Sequence, residues 1–220
     1  MFDAGVAMSN YVAFKSIEYF ILNGFWRDAI EMVKKNPETV SILEKDNDDQ
    51  ICSLLYIASF FNESHDLMKI LLEFGADPNT EAESSGGATP LGNSIYNSDC
   101  KEEMNNIENI ILLVSAGADL RKFDEAGNTP LHAAVYVGRP DIVEFLLISG
   151  ADPFQKNLYG DDIFEYIIFH QKSSRRMKDI YGDTVFGLVE SCDDAIMKEI
   201  KEIIDEFLKR KLVLPGSCPP

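Results

Sequence analysis

The chain has 220 residues, of which 45% are hydrophobic and 26% charged, a composition typical of a folded protein with one large or two small domains. Twenty Lys and Arg stand against 37 Asp and Glu, so the formal net charge is −17 and the pI is near 4.5. Because like charges repel, this balance argues against nucleic acids and anionic membranes and favours a basic protein partner; alternatively, the acidity only maintains solubility.

Two helices with apolar periodicity are predicted near the N-terminus, over residues 14–22 and 26–33. Asn23-Gly24 separates them, and Asn36-Pro37-Glu38 is a stop signal for the second. No stretch has the roughly 20 apolar residues that a membrane helix needs. The first ten residues lack the basic start and apolar core of a secretory signal.

The tripeptide Gly-Ala-Asp occurs three times, each time after an apolar segment with helical spacing. The copies begin at Gly75, Gly117 and Gly150. The last two are 33 residues apart, whereas the first gap is 42 residues and so contains nine extra residues, which we place around 84–87 and 97–106. Thr-Pro-Leu follows the first two copies, at Thr89 and Thr129.

Residues 124–156 carry the fullest version of the pattern: Asp124, Gly127, Thr129-Pro130-Leu131-His132, Ala134, Gly138 and Gly150-Ala151-Asp152. This arrangement resembles an ankyrin repeat, which has a period near 33 residues and the signature Thr-Pro-Leu-His-x-Ala. Thr129 is expected to cap the first helix, and Gly150 to end the second in a left-handed conformation. The resemblance implies that His132 is a structural histidine, hydrogen-bonded to nearby backbone.

The resemblance implies an all-α fold: an ankyrin-repeat solenoid of stacked helix–turn–helix units with hairpin loops, about four to five repeats including degenerate terminal caps. We predict one domain over 1–220, with an N-terminal repeat or cap at 11–47, a repeat at 48–80, a repeat with insertions at 81–123, the best-matching repeat at 124–156, a divergent C-terminal repeat or cap at 157–211 and a tail at 212–220. Ser53 and Asp162 take the helix-cap position in their repeats. The final helix is predicted over 195–211.

One position near the end of each first helix is aromatic in four successive repeats: Phe60, Tyr96, Tyr136 and Phe169. The resemblance implies that this position faces a concave groove in which ankyrin proteins hold their partners. The next position adds Phe61 and Val137. Because aromatic side chains dominate binding hot spots, these residues are a candidate binding stripe. The alternative is that they pack on one another and close the core.

The predicted hairpin tips are acidic and carry one aromatic: Asp48, Asp49, Glu125, Tyr159 and Asp161. An acidic rim around aromatic anchors suits a basic, partly apolar protein. We therefore expect a monomeric protein-interaction module, an adaptor or scaffold. The alternative is an acidic inhibitor of the immunity type, which would neutralise a basic enzyme or toxin.

No catalytic, cofactor or metal site is expected. The three histidines, His65, His132 and His170, are too dispersed for zinc, and no P-loop, nucleophile elbow or dinucleotide fingerprint occurs. The chain would be an enzyme only if residues 171–194 contained a site. The four cysteines form no Cys-x-x-Cys pair, so reduced thiols and a cytoplasmic location are expected.

Overall fold

A computed structural model describes residues 4–45, 51–82, 88–98, 107–121, 124, 126–168 and 194–213. By compactness the chain divides into two units, Met1–Glu125 and Ala126–Pro220. The division lies two residues after the predicted repeat boundary between 123 and 124. Within the described ranges, no helix is long and apolar enough to cross a membrane.

The described part of the first unit contains three successive helix pairs. The helices are α1 (Ala4–Leu22), α2 (Trp26–Lys35), α3 (Leu54–Ala58), α4 (His65–Glu73), α5 (Pro90–Tyr96) and α6 (Ile107–Ser115). The first helices of the pairs pack in one row, α1 on α3 and α3 on α5, and the second helices in another, α2 on α4 and α4 on α6. Apolar side chains from both rows fill the core, and those of Phe14, Leu54, Leu71, Leu91 and Ile110 are fully buried.

The connections between the pairs are short hairpins and turns. Strand β1 (Glu44–Lys45) pairs antiparallel with β2 (Ile51–Cys52), and an isolated antiparallel bridge joins Ala82 to Ala88. Helix α2 ends before Asn36-Pro37, as predicted, and the chain then makes a 3-10 turn over Pro37–Ser41. The β1–β2 pair and the Ala82–Ala88 bridge are the only strand pairings among the described residues, so the fold is all-α in class.

The second unit contains α7 (Pro130–Tyr136), α8 (Pro140–Ile148), α9 (163–168) and α10 (Asp194–Val213). Helix α7 packs on α8, and α8 packs on α10. The helix predicted over 195–211 is confirmed, with one more residue at its start and two at its end. Met197, Ile200 and Ile204 of α10 are buried, so the apolar face of this helix packs on α8.

The helix starts follow the predicted caps. In three cases the side-chain oxygen of the residue before the helix accepts a backbone N–H three residues on: Ser53 from Tyr56 (3.1 Å), Thr89 from Gly92 (3.2 Å) and Thr129 from His132 (3.4 Å). Asp162 does the same for α9, accepting from the Glu165 amide at 3.1 Å. Each cap satisfies a backbone donor that the first helical turn leaves unpaired.

All three Gly-Ala-Asp copies adopt the same local structure, which explains the motif residue by residue. The glycines have φ of 92°, 92° and 102°, a left-handed conformation that ends the helix. The alanines are buried, and their amides donate to the carbonyl five residues earlier, at 3.0, 3.0 and 2.9 Å. The aspartate Oδ1 accepts the amide two residues on, at 2.8, 2.9 and 2.9 Å, and so turns the chain toward the next hairpin.

Amide side chains, one of them fully buried, join successive helix pairs of the first unit. Asn109 on α6 is fully buried; its Nδ2 donates to the carbonyls of Phe61 and Asn62 at 3.4 Å, and its Oδ1 accepts from His65 Nδ1 at 2.9 Å. Asn79 bridges in the same way, donating to the Gly117 carbonyl at 3.0 Å. These bonds span 38 to 48 residues of sequence, so they fix how one pair sits on the next.

Replacing Asn109 with Ala should lower the free energy of unfolding by about 2–4 kcal/mol, because it leaves buried polar partners unsatisfied and opens a cavity. Urea denaturation measures this. Asn97→Ala is the matched control, since the Asn97 side chain is exposed and, within the described part of the chain, donates to Asn93 four residues earlier. The control should cost under about 1 kcal/mol. Equal losses in the two variants would contradict the bridging role of Asn109.

Candidate functional site

Two of the predicted binding aromatics lie in the first unit, at the ends of α3 and α5. The side chains of Phe60 and Tyr96 are 45% and 39% exposed. Phe60 stacks edge-on against Tyr56, with ring centroids 5.3 Å apart. The Tyr96 hydroxyl donates to Asp124 Oδ2 at 2.6 Å. Each aromatic therefore presents part of its ring to solvent while the rest is held in place.

Buried polar contacts join the two helix ends that carry these aromatics. Asn93 Nδ2 on α5 donates to the Ser59 hydroxyl at 2.8 Å, and the Ser94 hydroxyl donates to the Ser59 carbonyl at 3.4 Å. Ser59 immediately precedes Phe60, so these bonds fix the end of α3 against α5. Phe61, the companion position, is half-buried and packs on Trp26 with ring centroids 5.6 Å apart, which uses much of its ring inside the unit.

The second unit carries Tyr136, the last residue of α7, with 46% of its side chain exposed, and Val137, which is half-buried. The other aromatic of the predicted stripe, Phe169, lies outside the described residues, as do the rim residues Asp48, Asp49 and Glu125. The stripe is thus described as two aromatics in the first unit and one in the second.

Among the described residues of the second unit, the most exposed apolar side chains lie on the hairpin tip at residues 157–161, which we call the fingertip. Leu158 and Tyr159 are 77% and 76% exposed. The backbone around them is tightly held, because Asn157 Oδ1 accepts the amides of Tyr159 and Asp161, both at 3.0 Å. The Gly160 amide donates to the Asn157 carbonyl at 3.0 Å, which closes the turn.

The fingertip is tied to the preceding hairpin and to α7. The Leu158 amide donates to the Ala126 carbonyl at 3.2 Å, and Asn157 Nδ2 donates to Asn128 Oδ1 at 3.2 Å. His132, 1% exposed, makes the third link. Its Nδ1 accepts the Thr129 amide at 3.3 Å, so its Nε2 carries the proton and donates to the Asp161 carbonyl at 3.2 Å. This is the structural role that the sequence predicted for His132.

Charged side chains flank the fingertip. Lys156 Nζ donates to the Gly160 carbonyl at 2.7 Å and to Glu165 Oε2 at 2.9 Å. The hydrogen bond from Lys156, helped by the Asp162 amide, lowers the pKa of Glu165 below its ordinary value. The same hydrogen bond raises the pKa of Lys156. Asp161, predicted as an acidic rim residue, is half-buried, and its backbone carbonyl takes the bond from His132.

The sequence predicted Tyr159 and Asp161 for the fingertip but not Leu158. The sequence could have indicated Leu158, because a leucine at the tip of a hairpin with polar neighbours departs from ordinary turn composition.

Metal binding is a separate question. The residues that the structure describes contain no group of three or more His, Cys, Asp or Glu able to hold a metal ion. The fingertip therefore offers a contact surface, in which the exposed side chains of Leu158 and Tyr159 stand on a backbone held by hydrogen bonds.

Comparison with known proteins identifies the repeated unit. A family model described as ankyrin repeats, in three copies, matches residues 54–157. Human protein phosphatase 1 regulatory subunit 27 is 50% identical over 56 residues, which are 26% of this chain and 36% of that protein. A putative ankyrin repeat protein of Borreliella burgdorferi is 31% identical over 144 residues, 65% of this chain and 58% of that protein.

A third relative, the palmitoyltransferase AKR1 of Saccharomyces cerevisiae, is 40% identical over 52 residues, which are 24% of this chain but 7% of that protein. The match with each of these three relatives therefore spans less than two thirds of that relative's length.

Replacing Gly127 with Ala should disturb the fingertip and destabilise the second unit. Gly127 has φ of 72°, and a Cβ there would lie 2.5 Å from Leu158 Cγ and 2.6 Å from the Leu158 backbone nitrogen. The control is Gly150→Ala, at φ of 102° with nothing within 4 Å of the added carbon. The control should cost about 1–2 kcal/mol for conformation alone, and Gly127→Ala at least about 2 kcal/mol more. Similar urea midpoints for the two variants would refute the close contact.

Replacing Lys156 with Met should raise the pKa of Glu165 toward its ordinary value, since the hydrogen bond that lowers it is lost. A carboxyl whose pKa is lowered by folding stabilises the folded state above its unfolded pKa, near 4.3–4.5, and loses that effect as the pH falls through the folded pKa. Carboxyl-carbon NMR titration measures the shift. Lys198→Met, which removes the partner of Glu202 on α10, should leave the Glu165 titration unchanged.

Proposed function

The chain is an ankyrin-repeat protein over residues 54–157, and from this premise we propose that it is an adaptor or scaffold that binds a basic protein through its exposed aromatics and its fingertip. Ankyrin repeats indicate a protein–protein interaction module. The observation that carries the proposal is the fingertip itself, where Leu158 and Tyr159 are three-quarters exposed on a backbone held by hydrogen bonds.

The energetics of these two side chains support a role in binding. Full burial of a large apolar side chain contributes roughly 1.5–3 kcal/mol, so covering the exposed three quarters of Leu158 and Tyr159 would contribute about 1–2 kcal/mol each. Because the tip is already ordered in the free chain, little conformational entropy is lost on association. The exposed parts of these two side chains do not stabilise the folded chain. We therefore attribute their exposure to the binding of a partner.

The half-exposed aromatics of the first helices support the same function. Phe60 and Tyr96 in the first unit, and Tyr136 in the second, each keep part of the ring packed and part in solvent. Held aromatics give large contact area at low entropic cost. We propose that Phe60 and Tyr96 line a groove that the first unit presents to a partner, as the resemblance implies, and that Tyr136 contacts a partner from the second unit.

Charge supports a basic partner. With a net charge of −17, the chain attracts a cationic surface and repels an anionic one over the Debye length of the medium, about 8–10 Å at physiological salt. Complex formation should therefore weaken as the salt concentration rises.

A cytoplasmic location stays a prediction, which rests on the dispersed cysteines of the sequence.

The relatives bear on the kind of binder. One of them is named a regulatory subunit of a phosphatase, which fits an adaptor role, although the match covers 36% of that protein. None of the three relatives reported above is named as an inhibitor or immunity protein, so the inhibitor alternative has no support from them. The match to a palmitoyltransferase covers 7% of that enzyme and carries no activity to this chain.

The test is affinity capture from the native source with the full chain, followed by titration of the purified partner. Leu158→Ser/Tyr159→Ser should weaken binding roughly 30- to 700-fold, as expected when about 1–2 kcal/mol is lost per side chain, or about 2–4 kcal/mol in total. The double variant Tyr96→Ala/Tyr136→Ala tests the groove aromatics separately. Captured proteins should be basic, and their affinity should fall with salt.

The matched control is Ile148→Ser, since Ile148 is an apolar residue of the same unit, 71% exposed at the end of α8 and away from the fingertip. It should bind like wild type. An equal loss in the control, or full binding by both double variants, would refute the proposed surface.

A further inference from the structure

The backbone of the fingertip offers a partner hydrogen-bond acceptors but no donors. All five amide N–H groups of residues 157–161 already donate within the second unit, at 3.0 to 3.2 Å. Four of these bonds end on oxygens of Asn157 or Asp161, and the Leu158 amide bonds to the Ala126 carbonyl. No donor among the described residues reaches the carbonyl oxygens of Leu158 and Tyr159. The backbone groups left for a partner at the tip are therefore oxygens.

The side chains around the tip carry a net negative charge. Residues 156–165 contain one lysine and three carboxylates, a net charge of −2. Lys156 Nζ is occupied, because it donates to the Gly160 carbonyl and to Glu165. Asp161 makes its hydrogen bonds through the backbone, and in the described part of the chain no hydrogen bond or ion pair reaches its carboxylate. That carboxylate is a further acceptor beside the two carbonyls.

These two features restrict the chemistry of a partner at the fingertip. A strand that paired with the tip would need N–H groups as well as carbonyls along its edge, because strand pairing uses both. A carboxylate or phosphate would meet negative charge and no free backbone N–H. The tip instead suits a cationic group whose hydrogen-bonding atoms are all donors.

We propose that the fingertip binds an arginine side chain of the partner, an inference that rests on the fingertip being the binding surface proposed above. An arginine guanidinium is always charged, has five N–H donors and no acceptor, and is planar, so it stacks on aromatic rings. Tyr159, which is 76% exposed, supplies the ring. The Leu158 and Tyr159 carbonyls and the Asp161 carboxylate supply the acceptors. The Leu158 side chain contacts apolar residues next to the arginine.

The shape of the cation distinguishes arginine from lysine at this site. Lysine has the same charge, but its ammonium is compact, strongly hydrated and limited to three donors. Stacking of a cation on an exposed aromatic ring strengthens binding by roughly 2- to 5-fold, and the planar guanidinium stacks best. The Tyr159 amide is held by Asn157 Oδ1, so the backbone that carries the ring is ordered before the partner binds. Arginine should therefore bind more tightly than lysine by about this factor.

Amide NMR titration of the full chain with N-acetylarginine amide, at constant ionic strength, tests the proposal. N-acetyllysine amide has the same charge without the planar group, and N-acetylcitrulline amide has a similar shape without the charge. The dissociation constant from the Tyr159 and Gly160 amide shifts should be roughly 2- to 5-fold lower for arginine than for lysine, and citrulline should leave these amides unshifted. Tyr159→Ser should abolish the preference for arginine. Ile148→Ser, at a similarly exposed residue of the same unit, should keep it.

Equal dissociation constants for arginine and lysine overturn the proposal, because charge alone would then explain the binding. Arginine-induced shifts that leave residues 157–161 unaffected overturn it too, as does a Tyr159→Ser variant that keeps the preference. Any of these results leaves the proposed function standing if Leu158→Ser/Tyr159→Ser still weakens binding of the captured partner. Failure of the proposed function is a separate result, full binding of that partner by both double variants.

Discussion

Apart from α1, the paired helices that the structure describes are too short to be stable alone. Helix α3 has five residues, α5 and α7 have seven, and α4, α6 and α8 have nine, whereas isolated helices below about 12–15 residues are marginal in water. The pairs α3/α4, α5/α6 and α7/α8 therefore each depend on a capped start, a left-handed glycine at the end and apolar contact with a neighbour. Apolar contact alone leaves the spacing of pairs weakly specified, and buried amides such as Asn93 and Asn109 add directional bonds that fix it.

The same dependence brings the fingertip into a defined position. His132 is buried with both ring nitrogens bonded, one to the start of α7 and the other to the Asp161 carbonyl, and its ring meets Tyr166 edge-on at 5.1 Å. A single side chain thus couples the start of one helix pair to the hairpin of the next. Folding already restricts the conformations of the hairpin. Exposed Leu158 and Tyr159 can therefore contact a partner without a second loss of that conformational entropy. In this unit the hydrogen bonds that stabilise the fold also hold the proposed binding surface in place.

Features set by neighbouring residues could be predicted from the sequence. Caps at Ser53, Thr129 and Asp162, helix ends at the Gly-Ala-Asp copies and the position of α10 depend on residues within one or two turns, and the structure confirms them. Contacts between distant residues could not be predicted: the Asn109–His65 bond spans 44 residues, and the Tyr96–Asp124 bond spans 28. The exposure of Leu158 also depends on what packs nearby, so periodicity alone did not indicate that surface.

Hydrogen exchange at single-residue resolution, on wild type and His132→Ala, tests most directly whether the fingertip is held in place before a partner arrives. The amides of Tyr159, Gly160 and Asp161, all bonded to Asn157, should exchange much more slowly in wild type than in an unfolded chain. In His132→Ala their exchange should accelerate more than that of amides in α8. Wild-type fingertip amides that exchange as fast as an unfolded chain would contradict the account, since the fingertip would then be ordered only by its partner.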